Sequence, residues 1–360
     1  MRPFFHAWER RIHAGSVRVV RPFDWGLDWL PRAGLPALDG GSTSDDASIT
    51  AALVAAGERA TAESEAFFAV DPAPAYELDA DRVLRFESGV VTPHPENNLV
   101  QARYFPAENG SRKAGVVLLP QWNSDAGGHI GLARLLARFG MSGLRLSLPY
   151  HDVRMPPELT RADYIVSANV GRTLAVCRQA VLDARRAVMW MAAQGYERVG
   201  ILGTSLGSCL SMLTAAHEPL LRAAALNHVS PYFADVVWDG LSTEHVREGL
   251  EGRVQLDALR RIWLPISPQP YLERMRDKRT LLVYARYDLT FPVSLSRQLI
   301  ADFGSRGLPH QSFVLPCGHY STGVSPFKWM DGYVLTKFLH DSLVKGMSPE
   351  RHVATAAAVR

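Results

Sequence analysis

The sequence predicts an α/β fold: a mainly parallel central sheet with helices on both faces, a helical extension before it and an inserted helical segment within it. Three observations predict it. From residue 81 onward, apolar runs of strand length alternate with amphipathic helical stretches. The run Ala114-Gly115-Val116-Val117-Leu118-Leu119 is apolar throughout, as a strand buried on both faces requires. About fifty residues between Asn227 and Thr280 carry helical pattern and no strand, too many for a plain loop.

Residues 1–80 read as an extension that packs on the domain after it. Its run Phe23-Asp24-Trp25-Gly26-Leu27-Asp28-Trp29-Leu30 is too aromatic for a free linker, and residues 40–46 are a polar loop. Residues 47–70, rich in alanine and glutamate, predict a helix. Residues 83–92 and 99–105 alternate apolar and polar side chains, as a hairpin with one solvated face does. After the buried strand, Leu132, Leu135, Leu136 and Phe139 line one side of a helix stopped by Gly140. Residues 143–148 make the next strand. Leu174, Cys177, Val181, Ala184, Val188 and Met191 then form one stripe of a long helix. Strand 199–202 runs into Gly203-Thr204-Ser205-Leu206-Gly207, where another helix begins. Further strands are predicted at 223–227, 280–285 and 311–315, an amphipathic helix at 327–343, and a disordered tail at 347–360. The core is thus expected in two parts, residues 81–229 and 276–346, split by the insertion at 230–275.

Composition narrows the class. A chain of 360 residues with 47% apolar and 21% charged residues builds a core that needs no metal or disulfide. Three widely spaced cysteines, Cys177, Cys209 and Cys317, read as buried free thiols in a reducing compartment. The net charge of +3 comes from arginines interleaved with acids, so no nucleic-acid footprint is expected. The arginine-rich first twenty-two residues lack the apolar stretch of a signal peptide, and no run approaches the roughly 18 apolar residues of a membrane span. An organellar transit segment is the alternative to the expected cytoplasmic location.

The chemistry concentrates in four places. Gly203-Thr204-Ser205-Leu206-Gly207 matches G-x-S-x-G, which chance alone supplies about 0.1 times in a chain this long. Its position between an apolar strand and a helix is what makes it a nucleophile elbow. A serine hydroxyl needs a base to take its proton. His319 follows the last predicted strand in Cys317-Gly318-His319-Tyr320, whereas His217 and His228 precede the acid strand and break the expected Ser, Asp, His order. Asp288 ends the run from Leu281 and orients the imidazole, or else caps the next helix. The oxyanion needs two backbone donors. One is expected from Leu206, the other from Trp122 or alternatively Gln121, in the loop after the first buried strand. The Trp122 indole either walls the acyl site or packs.

These features, across roughly residues 81–345, resemble the α/β-hydrolase superfamily, which implies a serine hydrolase without a cofactor or metal. Many relatives carry His-Gly where Pro120-Gln121 stands, so the oxyanion loop matches by location. Pro149-Tyr150-His151-Asp152-Val153-Arg154-Met155-Pro156 and the long helix before the elbow resemble the branch named after abhydrolase domain-containing protein 18. That resemblance extends the expected small-molecule acyl ester to lipid-like acyl groups. Tyr150 and Arg154 are expected either to line the pocket or to brace a loop. The insertion, with Trp238 and Trp263, is expected to be a cap that lines the pocket, or else cover for a sheet edge. A thioesterase or peptidase would use the same triad, and a non-catalytic binder would be expected to have lost a member of it. Zinc, phosphate-loop and dinucleotide motifs are missing, and Cys209 lies on the helix four residues past the serine.

Overall fold

The computed structural model describes residues 1–15, 17–38, 45–71 and 75–346. The predicted loop over residues 40–44 and the predicted disordered tail lie outside these. The extension holds α1 (Arg2–Ala14), α2 (Asp46–Ala62) and α3 (Ser64–Phe67). Asp45 caps α2 through the Ser48 amide. The sheet begins with β1 (Glu77–Leu78) and β2 (Val83–Glu87), then α4 (Pro95–Asn98) and β3 (Leu99–Phe105). β2 is shorter than the alternation predicts. The chain leaves the sheet at Ser88, whose hydroxyl and the Gly89 amide bind the buried Asp183 carboxylate.

The buried core follows as β4 (Ala114–Leu119), α5 (Ile130–Arg138), β5 (Ser142–Leu146), α6 (Val170–Ala193), β6 (Arg198–Thr204), α7 (Leu206–His217) and β7 (Leu221–Asn227). The insertion contributes α8 (Phe233–Asp239), α9 (Glu244–Leu250) and α10 (Leu256–Ile262), with 3₁₀ turns and no strand among its residues. β8 (Arg279–Ala285), α11 (Val293–Ser305), β9 (His310–Leu315) and α12 (Phe327–Leu343) complete the fold.

The nine strands form one sheet in the order β1-β2-β3-β5-β4-β6-β7-β8-β9. Pairings are antiparallel from β1 to β5 and parallel from β5 to β9. Ala133 and Leu136 of α5 pack with Leu335, Phe338 and Leu339 of α12 on one face. Val181 of α6, Leu210 of α7 and Leu299 of α11 cover the other. The strand order reverses at β4. β4 leads outward to β5, and β6 returns on β4's other side, so the loops after β4 and β6 part to opposite faces. A crevice opens at such a point, at the carboxyl ends of the strands. No described helix is long and apolar enough to cross a membrane.

Candidate active site

The elbow occupies that crevice. Ser205 sits between β6 and α7 with φ 57° and ψ −121°, a conformation an L-residue adopts only when its surroundings impose it. The two glycines are what make the turn possible. A Cβ on Gly203 would lie 2.1 Å from the Gly207 carbonyl oxygen, and one on Gly207 would lie 2.2 Å from that of Leu119. Both collisions are with backbone, which cannot move aside. Ser205 also donates its amide to Asn227 O at 2.8 Å, so the end of β7 holds the turn. Leu206 opens α7, and its amide therefore has no acceptor within the helix.

The other side of the crevice carries the acid and the imidazoles. Asp288, buried in the loop after β8, accepts from His319 Nδ1–H at 3.0 Å through Oδ2. The same oxygen accepts from His228 Nδ1–H at 2.8 Å. Oδ1 accepts the Thr290 and Phe291 amides at 2.8 and 2.7 Å. Burial alone would raise this carboxyl, but the charge of His319 and the hydrogen bonds from His228 and His319 win and hold it well below the ordinary range. Phe291 stacks on the His319 ring at 5.5 Å. Burial, and then the neighbouring His319, lower the His228 pKa against the pull of Asp288, so His228 stays neutral.

No protein-family model matches the chain, and no curated protein does. Solved structures do match. A Pyrococcus horikoshii acylaminoacyl peptidase aligns with TM-score 0.54 and 15% identity over 75% of this chain, which spans 42% of that protein's length. Acetyl xylan esterase 1 from Thermoanaerobacterium sp. JW/SL YS485 aligns with TM-score 0.56 and 14% identity, covering 80% of this chain and 93% of that one. A lipase in its open form aligns with TM-score 0.52 and 11% identity over 71% and 97%.

The chain has the α/β-hydrolase fold.

Within that fold, Ser205, His228 and His319 line one cleft of about 780 Å³, together with Gln121 and Trp122. A second, apolar pocket of about 40 Å³ meets it at Ser205 and Trp122. Leu206, Phe233, Val236, Val237 and Phe291 wall this pocket, with Cys209, whose thiol burial pushes up to about 12. Cys209 is half-buried where full burial was expected, because its side chain borders this space. All three cysteines are free.

Four expected pocket residues are not among those lining either cavity, and the expectation is corrected. Arg154 is fully buried and binds Asn97 O, Ser147 O and the Asp183 carboxylate. Tyr150 is equally buried, 3.0 Å from His94 Nδ1. Arg154 braces the loop after β5 against α6, and Tyr150 braces it against the His94–Asn97 segment. Trp263 is buried and donates its indole N–H to Val170 O at 3.0 Å. Trp238 packs partly buried against the main core.

Two supports escape the sequence. Neutral His151, its pKa lowered to about 4 by burial, donates through Nδ1–H to Pro149 O at 2.8 Å and accepts the Asn123 amide at 3.0 Å. It thereby pins the loop holding Gln121 and Trp122. Glu9 of α1, wholly buried, accepts the Tyr320 and Ser321 amides at 2.8 and 2.9 Å and the Ser321 hydroxyl at 2.8 Å.

Among the described residues, one group could hold a metal ion: His228, Asp288 and His319, whose ligand atoms lie within 4.8 Å of one another. Their hydrogen bonding argues otherwise. Both Nδ1 atoms point at one carboxylate oxygen, which requires a proton on each nitrogen, and a metal needs their lone pairs.

Proposed function

We propose that this chain is a serine hydrolase that cleaves esters of short carboxylic acids. One observation carries the reading: Ser205, on a strained elbow, stands where a small apolar pocket meets a cleft walled by the Asp288-bound His319.

In this mechanism His319 takes the Ser205 proton through Nε2 as Oγ bonds to the acyl carbon. Asp288 holds Nδ1–H and stabilises the imidazolium. The amides of Leu206 and Trp122, or alternatively Gln121, receive the oxyanion. The carbon–oxygen bond to the alcohol breaks as His319 returns the proton to the departing oxygen. Water, activated by the same imidazole, then attacks the acyl-enzyme and releases the acid. Ester plus water gives acid plus alcohol.

His319 protonates the leaving group, so the cleft it walls receives the alcohol, and the pocket without it receives the acyl chain. At about 40 Å³ that pocket takes roughly three water-sized groups. This favours acetyl to butyryl chains over the lipid-like groups that the branch resemblance implies. The segment carrying that resemblance includes Tyr150 and Arg154, whose side chains act as braces. Phe233, Val236 and Val237 of α8 give the insertion the role of a cap over the acyl side.

A fluorophosphonate probe is expected to label the wild type at Ser205 and leave Ser205→Ala unlabelled. p-Nitrophenyl acetate and butyrate should turn over faster than the octanoate. A Ser205→Ala protein with wild-type turnover would overturn the assignment.

A further inference from the structure

We propose that the alcohol or thiol released by this enzyme bears an anionic group, a carboxylate or a phosphate, received by a cationic rim on the leaving-group cleft. The inference rests on the hydrolase reading above and adds the class of leaving group to it.

The cleft that holds His319 is lined by Arg18, Arg134, Arg138, Arg161 and Lys328, against one carboxylate, Asp331. These cations come from separate elements: Arg18 from the extension, Arg134 and Arg138 from successive turns of α5, Arg161 from the segment before α6, and Lys328 from α12. The charge of the last four is only partly compensated. Among the described residues, Arg134 and Lys328 have no carboxylate within ion-pair distance, and Arg138 has one at 3.7 Å, Glu108, at the exposed surface. Arg161 lies 3.5 Å from Asp163, whose charge is already shared with Arg21 at 3.1 Å. Asp331 opposes them with only about half a charge near neutral pH, since burial pushes its carboxyl up to about 7.

The acyl pocket contrasts at every point, with no charged residue among those lining it. The two chambers meeting at Ser205 therefore ask for different halves of one substrate, a short uncharged acyl group and a larger anionic leaving group. A cleft lined by one sign of charge raises the local concentration of the opposite sign and its association rate. A solvated rim keeps that preference sensitive to salt.

Two matched pairs of probes test this and separate the two anions. The first is p-nitrophenyl acetate against 5-acetoxy-2-nitrobenzoate, which adds one ring carboxylate. The second is S-acetylpantetheine against S-acetyl-4′-phosphopantetheine, which adds one phosphate to the same thioester. In dilute buffer kcat/KM should favour the anionic member of at least one pair by about 10-fold or more, falling as salt is added. The pair showing the larger ratio identifies the anion. The exposed double variant Arg134→Ala/Lys328→Ala should lose most of that ratio while its rate on the neutral member stays at the wild-type value. Ratios near one for both pairs, or a double variant that keeps the wild-type ratio, would overturn the inference. Fluorophosphonate labelling distinguishes the failures. A labelled enzyme without charge preference loses only this inference, and an enzyme that does not label at Ser205 loses the hydrolase reading with it.

Discussion

The serine side and the histidine side of the cleft are built on different length scales. Ser205 is placed by its own pentapeptide: β6 delivers it, α7 leaves from it, and Gly203 and Gly207 let the two approach. His319 is placed by residues far away in the chain. Asp288 stands 31 positions before it, and Glu9 reaches Ser321 across 312 positions. A locally built element keeps its geometry wherever strand and helix form. An imidazole held by long-range bonds can be loosened from several distant points, so under the proposed mechanism distant substitutions should act on proton transfer before they act on the elbow.

The largest effect expected on the histidine side is that of Asp288→Asn. An amide at this position presents a donor to Nδ1 and favours the wrong tautomer, and kcat should fall by about 10⁴-fold. His228→Asn tests which imidazole works. His228 is buried, neutral and 1% exposed in its side chain, against 11% for His319, so it acts by positioning Asp288. Its loss should cost at most about 10²-fold, the scale of a displaced catalytic group. If His228→Asn proves as damaging as His319→Asn, the base has to be reassigned.

This division of length scales also explains what sequence can show. The mainly parallel core was legible in the alternation of strand and helix patterns, because burial on both faces leaves a continuous apolar run such as Ala114–Leu119. The elbow was equally readable, since its signal is local. His228 was set aside because chain order favours His319, and order carries no information about two rings sharing one oxygen. Glu9 gave no signal at all: one acid in an arginine-rich helix looks solvated until the fold brings the Tyr320 turn to it. For Tyr150, Arg154 and Trp263 the letters leave lining a pocket and bracing its wall equally open, and their full burial favours the brace. A large side chain near a site has the same letter whether it lines a cavity or braces its wall.

Glu9→Gln sharpens the comparison at intermediate size. The carboxylate accepts two backbone amides and a hydroxyl, and an amide can offer only one acceptor oxygen to three donors. Leaving a buried donor unpaired costs about 1–3 kcal/mol. The variant should melt several degrees lower, and kcat should fall by less than about 10-fold with KM unchanged, because the imidazole moves while the pockets do not. A variant that loses stability but keeps the full kcat would make α1 a cover for the histidine loop with no part in positioning it.

The smallest effect on turnover is expected at the joint between the two sides, where a substitution should act on stability alone. Asp331 of α12 faces Asn227, whose carbonyl oxygen receives Ser205 N–H, so it touches the nucleophile side from the histidine side. Burial raises its carboxyl from the ordinary 3.8 to about 7, with the Asn227 hydrogen bond opposing. The folded state therefore keeps a proton that the unfolded chain releases at about pH 4. By linkage, this group's contribution to stability falls as pH rises from about 4 to about 7 and stays low above that. Asn227 Oδ1 is buried without a donor, which is the partner a protonated Asp331, or an amide in its place, can supply after rotation of the Asn227 side chain. Asp331→Asn should therefore match the wild type near pH 4, where both side chains are neutral, and become the more stable protein by pH 8. Urea denaturation at the two pH values measures the difference. An Asp331→Asn protein whose stability relative to wild type is the same at both would mean that Asp331 is already ionised in the folded state, held by solvent or by the basic residues of the cleft.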